Sequence, residues 1–420
     1  MSGTHRTDAK RVVVTGLGAV SPFGRGRDVL WRGLDSGEAA IDEFDLFDST
    51  EHRTHLAGQV RANFDGLEKL GSGGKGHERR AERLSRTDRF ALSAALEAFG
   101  HADLNENTRD LGVFFGCSTG GMYEGEGLFE ARESDAHRPV SSMFAAHQNN
   151  SPADAIARAF GTTGPIEVIS SACSAASMAI EGALQALRAG ELDVALAGGA
   201  DGLCRLTYAG FNSLRAVDEE ACRPFREERE GLSIGEGAGV LVLETLEHAR
   251  ARRAAPIAEL VGAGSSCDAY HMTAPHPEGL GAAAAIRAAL LDSGIEHGDV
   301  DFFNLHGTGT PHNDAAEWQA LKNVFGERAA ELPATSTKSG VGHLLGACGG
   351  LEAVATILCL DAGVVHPTTG AGPVDPASPA DLVLGKSRAL DRCEYAVSAN
   401  LAFGGANGAL VFRRWSEDQS

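Results

Sequence analysis

Short β-branched apolar runs alternate with longer segments of helical spacing, and the alternation is run through twice along the chain. "RVVVTGLGAV" (11–20) reads as a buried strand passing into a glycine turn. "SRTDRFALSAALEAFGHA" (85–102) sets Phe90, Leu92, Ala95, Leu96 and Phe99 at helical intervals. Strand patterns follow at "DLGVFFGCS" (110–118) and "PIEVISSA" (165–172), then a helix over 174–189. "DVALAGGAD" (193–201) and "GAGVLVLETLEHARAR" (237–252) continue the order. Near residue 254 a similar order restarts: strands at 257–268 and 300–309, helices at 281–294, 314–326 and 346–363, and a terminal hairpin over 395–412. This pattern implies an α/β fold with mostly parallel strands. It predicts two related halves, 1–253 and 254–420, packed as one body because no low-complexity linker separates them.

Charge and cysteine usage narrow the function classes. With 37 basic and 57 acidic residues the formal charge is −20, which argues against general nucleic-acid binding; an acidic partner would need a local basic patch. The eight cysteines (117, 173, 204, 222, 267, 348, 359 and 393) show no CxxC pair or metal-ligand spacing, and read as reduced thiols. The opening "MSGTHRTDAK" is polar, and no uninterrupted run of 18 apolar residues suggests a membrane span. The expectation is a cytoplasmic protein.

One corner combines these patterns with chemistry. In "VISSACSAASMAIEGALQALRAG" (168–190), Cys173 lies where an apolar strand meets a helix. Unpaired N–H groups at a helix start carry partial positive charge, so a thiolate here is expected to have a depressed pKa. Ala172, Ser174 and Ala175 are small and leave room for a substrate carbonyl. The same corner also suits a small buried cysteine with no catalytic task, the reading kept for the other seven. Three further segments tip the balance. "NLHGTGTPHND" (304–314) places His306 at a strand-end glycine turn. "TKSGVGHLLGACGGLEA" (337–353) carries Lys338 and His343 across a glycine loop, and "NLAFGGANGALVF" (400–412) sets Phe403 on a glycine turn. Two histidines at such turns with a lysine nearby form a candidate catalytic set.

Taken with "CRPFREEREGLSIGEGAGVLVLE" (222–244) and "DAYHMTAPHPEG" (268–279), in this order and spacing, these segments resemble the β-ketoacyl-acyl carrier protein synthases, the decarboxylating condensing enzymes of the thiolase-like superfamily. The resemblance runs from "RVVVTGLGAVSPFG" to "ANGALVF". It implies a five-layered αβαβα thiolase-like fold of two similar halves, usually dimeric. By position it makes Cys173 the nucleophile, His306 and His343 the catalytic histidines, and Lys338 the active-site lysine. Phe403 becomes the gating aromatic and a source of oxyanion-binding N–H, with Thr308 and Thr310 holding the phosphopantetheine arm. Glu352 becomes a buried acid supporting the lysine, and Thr119 a residue setting acyl-pocket depth.

The implied reaction is a decarboxylative Claisen condensation of malonyl-acyl carrier protein with an acyl chain on Cys173, in type II polyketide, polyene or fatty acid synthesis. No metal or redox cofactor is called for, since substrates arrive on carrier phosphopantetheine. The expected partners are an acyl carrier protein and either a second copy or a homologous chain-length factor; nucleic acid and membrane are not expected. Carrier docking is expected at Arg79, Arg80, Arg83, Arg86 and Arg215. Alternatives are a subunit active only beside a chain-length factor, and a non-elongating acyltransferase. Departures from the common pattern are "CSAASMAIEGA" after the nucleophile, "NLHGTGT" for "EAHGTGT" and "NLAFGGAN" for "SFGFGGTN". They point toward a specialised pathway, and Ala402, where glycine is commoner, is expected to restrain the gate.

Overall fold

In a computed structural model, residues 10–64, 67, 84–105, 108–133 and 143–416 are described. Ten principal strands fall five to each half of the chain. They are β1 (Val12–Ser21), β2 (Gly112–Gly116), β3 (Ile166–Ile169), β4 (Val194–Asp201) and β5 (Gly237–Thr245), then β6 (Ala258–Cys267), β7 (Phe302–Asn304), β8 (Ala334–Thr335), β9 (Tyr395–Leu401) and β10 (Ala406–Arg414). Their spatial order is β3-β2-β4-β5-β1 continuing into β6-β10-β9-β7-β8. Numbered within its own half, each set therefore reads 3-2-4-5-1. The two sets join at β1 and β6 through only two residue pairs, Val13 with Glu259 and Val14 with Ala258.

The ladders are more mixed than the alternation predicts. β2 pairs in parallel with β3 and β4, and β7 with β8 and β9. The fifth strand of each half is antiparallel to both its neighbours. The cause is the route of the chain. β9 returns directly into β10 through a short turn, and the segment between β4 and β5 leaves and re-enters at one end, with Asp201 opposite Gly237. A connection that does not cross the sheet can only give an antiparallel pair.

Six helices cover and separate the sheets: α1 (Arg86–His101), α2 (Ser151–Phe160), α3 (Ala175–Ala189), α4 (Leu280–Ser293), α5 (Pro311–Phe325) and α6 (Cys348–Ala362). α3 and α6 pack on each other and on strands of both halves. α1 and α2 cover the outer face of the first half, and α4 and α5 that of the second. The result is the five-layered thiolase-like arrangement. The run Leu345–Ala362, though interrupted by Glu352 and Asp361, is 18 helical residues long and apolar enough by composition to cross a membrane. Its side chains instead form the centre of the core, with Leu351, Val354, Ile357 and Leu360 all buried.

The middle layer sits close to the sheets because glycine lets backbone approach backbone. A Cβ on Gly239 of β5 would lie 2.3 Å from the Gly350 carbonyl carbon on α6. One on Gly116 of β2 would lie 2.2 Å from the Ala176 nitrogen on α3. Neither contact can be relieved by turning a side chain. Gly239→Ala is therefore expected to lower unfolding free energy by about 1–3 kcal/mol through overpacking. Gly210→Ala, in an exposed helix with nothing within 4 Å of the added methyl, is expected to be neutral or mildly stabilising. Urea unfolding of the two variants measures the contrast.

Candidate active site

Cys173 sits in a single 3-10 turn, Ala172–Ser174, that feeds directly into α3. Ala172 adopts φ +50°, a left-handed conformation rare for a residue with a Cβ, so the corner is held under local strain. The cysteine is 6% exposed. Its sulfur faces its own backbone N–H and that of Phe403. Burial pushes the thiol up to about 11, against the opposing pull of the Lys338 ammonium and those two N–H groups. The depressed pKa expected from the helix start is thus overturned, because loss of water around the thiolate outweighs the helix-end field.

The second half supplies the facing wall. His306 follows β7, and its N–H and that of Gly307 donate to the two oxygens of Glu317 at 2.7 and 2.8 Å. Glu317 is buried on α5, and burial pushes its carboxyl up to about 8. His343 lies in the loop before α6, where its Nδ1 accepts the Leu345 N–H at 3.0 Å. That bond leaves Nε2 to carry the proton. The two imidazoles meet edge to face with centroids 5.5 Å apart. Burial and the nearby ammonium lower both pKa values, His306 well below its usual value and His343 to about 3.

Lys338 is buried at the base of the site. Its Nζ lies 3.0 Å from His306 Nδ1 and 2.5 Å from Glu352 Oε1. Burial acts to lower its pKa, but the Glu352 carboxylate opposes this and the pKa is raised, so the ammonium persists. With a cation against Nδ1, His306 also presents Nε2–H outward. The sulfur of Cys173 and one ring nitrogen of each histidine lie within 4.8 Å of one another, the one such group of possible metal ligands among the described residues. The ammonium beside them opposes a dication, and the donor set suits a developing oxyanion better.

Cys173, His306 and His343 line a cavity of about 420 Å³ that also takes in Phe403, Thr308 and Thr310. The two threonine hydroxyls are 2.9 Å apart, and Thr310 caps α5. Arg215 is exposed at the cavity wall. Ala402 has ordinary extended geometry at φ −112°, while positive φ falls at Gly404 (83°) and Gly405 (81°). In this arrangement position 402 makes no demand for glycine, and the positive-φ positions lie beyond Phe403.

One assignment changes. Arg86 turns inward: its Nε donates to buried Glu236 at 2.7 Å and its guanidinium covers the Phe90 ring, so it is committed to the core and not to docking. Arg79, Arg80 and Arg83 lie outside the described residues. The Thr119 hydroxyl donates to Asp201 at 2.7 Å, which ties it to a buried carboxylate that also accepts the Gly346 N–H at 2.6 Å. Glu317, Asp201 and Phe211 were missed in the sequence. The Phe211 ring stands 5.6 Å from Phe403 and 6.4 Å from His343. Only Glu317 left a signal there, as an acid on the helical face of Ala316, Ala320 and Leu321.

A strained cysteine corner on one half, facing two neutral imidazoles and a buried ammonium from the other, in a repeated 3-2-4-5-1 fold, defines a thiolase-like condensing enzyme. The chain belongs to the β-ketoacyl synthase family: residues 9–249 match the Beta-ketoacyl synthase N-terminal domain and residues 257–371 the C-terminal domain. It is 40% identical over 416 residues to 3-oxoacyl-[acyl-carrier-protein] synthase 2 of Staphylococcus aureus (strain COL), covering 97% of this chain and 99% of that one. Among solved structures, "The ishigamide ketosynthase/chain length factor" superposes with TM-score 0.90 at 32% identity, over 97% of this chain and 100% of the other. A β-ketoacyl synthase from Burkholderia phymatum STM815 gives TM-score 0.87 at 34% identity, with coverage of 97% and 100%.

A thiol raised to about 11 stays protonated through neutral pH. Alkylation of Cys173 by iodoacetamide is expected to accelerate about tenfold per pH unit from about pH 7 to 9, with no plateau. Mass-spectrometric counting of the modified peptide follows it. Levelling off near pH 7 would indicate a depressed thiol instead.

Proposed function

We propose that the chain catalyses decarboxylative Claisen condensation of malonyl-acyl carrier protein with an acyl group held on Cys173, giving β-ketoacyl-acyl carrier protein. The observation that carries this reading is the meeting of Cys173 with two neutral imidazoles inside 4.8 Å. Cys173 attacks the incoming acyl thioester, and the thiol proton leaves with the released pantetheine thiol. Malonyl-carrier protein then enters along Thr308 and Thr310. As carbon dioxide departs, its bonding pair passes to the thioester enolate, whose oxygen takes the Nε2–H groups of His306 and His343. Lys338 holds positive charge behind His306 and keeps that ring neutral. The enolate carbon attacks the acyl-cysteine carbonyl, with the N–H groups of Cys173 and Phe403 receiving the oxyanion. Collapse expels the Cys173 thiolate, which takes up a proton from solvent to restore the thiol, and leaves the β-ketoacyl product on the carrier. Apart from that proton, every step uses side chains of this chain and the carrier's phosphopantetheine thioester.

On this reading residues 1–253 form the half that carries the nucleophile, and 254–420 the half that carries the histidines and gate. The chain serves fatty acid or type II polyketide and polyene extension. The altered sequences around the nucleophile and gate, with the likeness to the ishigamide ketosynthase/chain length factor, favour the specialised pathway. That likeness also favours a homologous chain-length factor as partner alongside the acyl carrier protein. Membership of this family supports placement in the cytoplasm.

His306→Ala and His343→Ala are each expected to slow carbon dioxide release from malonyl-acyl carrier protein by about 10²–10³-fold, the usual cost of one oxyanion donor. Both variants should still acylate Cys173, while Cys173→Ala should abolish condensation. A Cys173→Ala enzyme that still formed β-ketoacyl product, or a wild type that transferred acyl groups without releasing carbon dioxide, would contradict the reading.

Arg215, exposed beside the cavity, is assigned to docking of the acidic carrier protein, together with Arg79, Arg80 and Arg83. Local basic charge offsets the repulsion expected from the overall charge of −20. Arg215→Glu is expected to raise KM for carrier-bound substrate while Cys173 alkylation by a small reagent stays unchanged. Equal loss of both would point to misfolding.

A further inference from the structure

Asn400 is a buried polar residue that the condensing mechanism leaves unused. It lies on β9, three positions before Phe403, where serine is commoner in this sequence pattern. Its Nδ2 donates to Glu352 Oε2 at 2.6 Å, while Glu352 Oε1 takes the Lys338 ammonium. The amide has a definite direction. Its Oδ1 is buried without a hydrogen-bond partner, and a Cβ on Gly349 would come within 2.7 Å of it. Turned the other way, the amide oxygen would meet a carboxylate oxygen, acceptor against acceptor. The stranded oxygen is therefore the cost of aiming an N–H at Glu352.

A second amide holds the same acid from behind. Asn304, where glutamate is commoner, donates to the Glu352 main-chain oxygen at 3.2 Å, to Thr337 at 3.0 Å and to Thr356 at 3.1 Å. Thr337 immediately precedes Lys338. Both departures from the common pattern thus bond Glu352, Asn400 at its carboxylate and Asn304 at its main chain.

We propose that Asn400 is a positioning residue that ties the gate strand to the ion pair: by holding Oε2 it keeps Glu352 an oriented carboxylate on Lys338, so that Lys338 keeps its proton against His306 Nδ1. His306 Nε2–H is thereby left to face the substrate. The assignment rests on the condensing reading, since that reaction is what His306 serves. The titratable groups around the pair are Lys338, His306, His343 and Cys173, with Cys348 on α6 itself and Glu317 behind the His306 turn.

The test replaces the amide by its near-isostere. Asn400→Asp puts a second carboxyl 2.6 Å from Glu352, a distance at which the pair holds one proton and gives it up only at raised pH. At low pH they share a proton, one donates to the other, and the variant works as the wild type does. As pH rises that proton is lost, the two charges repel, and Glu352 is pushed out of line, so that Lys338 stays charged but is no longer held against His306 Nδ1. Malonyl-acyl carrier protein decarboxylation by Asn400→Asp is therefore expected to fall about tenfold relative to wild type between about pH 6 and 9, a new limb in the profile. Asn400→Ser retains a donor and is expected to keep the wild-type shape. Loss by one constant factor at every pH, or a profile parallel to wild type, overturns the assignment. If wild type itself releases no carbon dioxide, the condensing reading fails. The pH profile of Cys173 alkylation, to which the Lys338 charge contributes, then decides on Asn400 alone. A changed slope in Asn400→Asp upholds the assignment, and an unchanged one overturns it.

Discussion

The ion pair between Lys338 and Glu352 is the contact around which the site is arranged. Both groups are almost wholly buried, at 1% and 2% exposure, between two sheets where an unpaired charge could not persist. Removing one partner of such a pair costs about 3–5 kcal/mol, a large share of the stability of an ordinary domain. Its partners come from separate elements: Lys338 from the loop after β8, Glu352 from α6, Asn400 from β9 and His306 from the turn after β7. The pair therefore has a geometric task as well as an electrical one. It fixes four pieces of the second half relative to one another, and all four face the cysteine contributed by the first.

The electrical effect of the pair spreads in graded fashion. The ammonium opposes protonation of both histidines, so they remain donors, and it moderates the rise of the Cys173 thiol without cancelling it. A site with charged imidazoles and a free thiolate would look more reactive but would serve enolate formation less well. Charge next to Nε2 should appear only when the substrate develops it, and neutral N–H groups aimed at that point supply this with little rearrangement.

What could be read in the sequence and what could not divides along a physical line. The corner at Cys173 and most strands and helices are written in local periodicity and small residues. The strand read at 300–309, however, shortens to Phe302–Asn304, the helix read at 314–326 starts at Pro311, and α2 and β8 were not read at all. His306, Lys338 and His343 were visible because each sits in a glycine turn with its own local pattern. Glu317 and Asp201 were not, because their roles come from partners elsewhere in the fold: Glu317 reaches back 11 residues to His306, and Asp201 spans 145 residues to Gly346. Arg86 looked like part of a surface charge run and proved to be the partner of a carboxylate 150 residues away. The pKa of Cys173 was misjudged for the same reason. The helix start is local and legible, whereas the burial that dominates is a property of the whole assembly.

The repeated 3-2-4-5-1 order also divides the chemistry between the halves. Counting from the third strand of each half, β3 leads into α3 through the corner at Cys173, and β8 leads through Lys338 and His343 into α6. The nucleophile and its electrostatic support thus occupy equivalent stations in the two repeats of one strand order. With the two repeats packed together, neither carries a complete catalytic set. One supplies the attacking group and the other the field that tames it, and with that division of labour the chain cannot be cut into two independent enzymes.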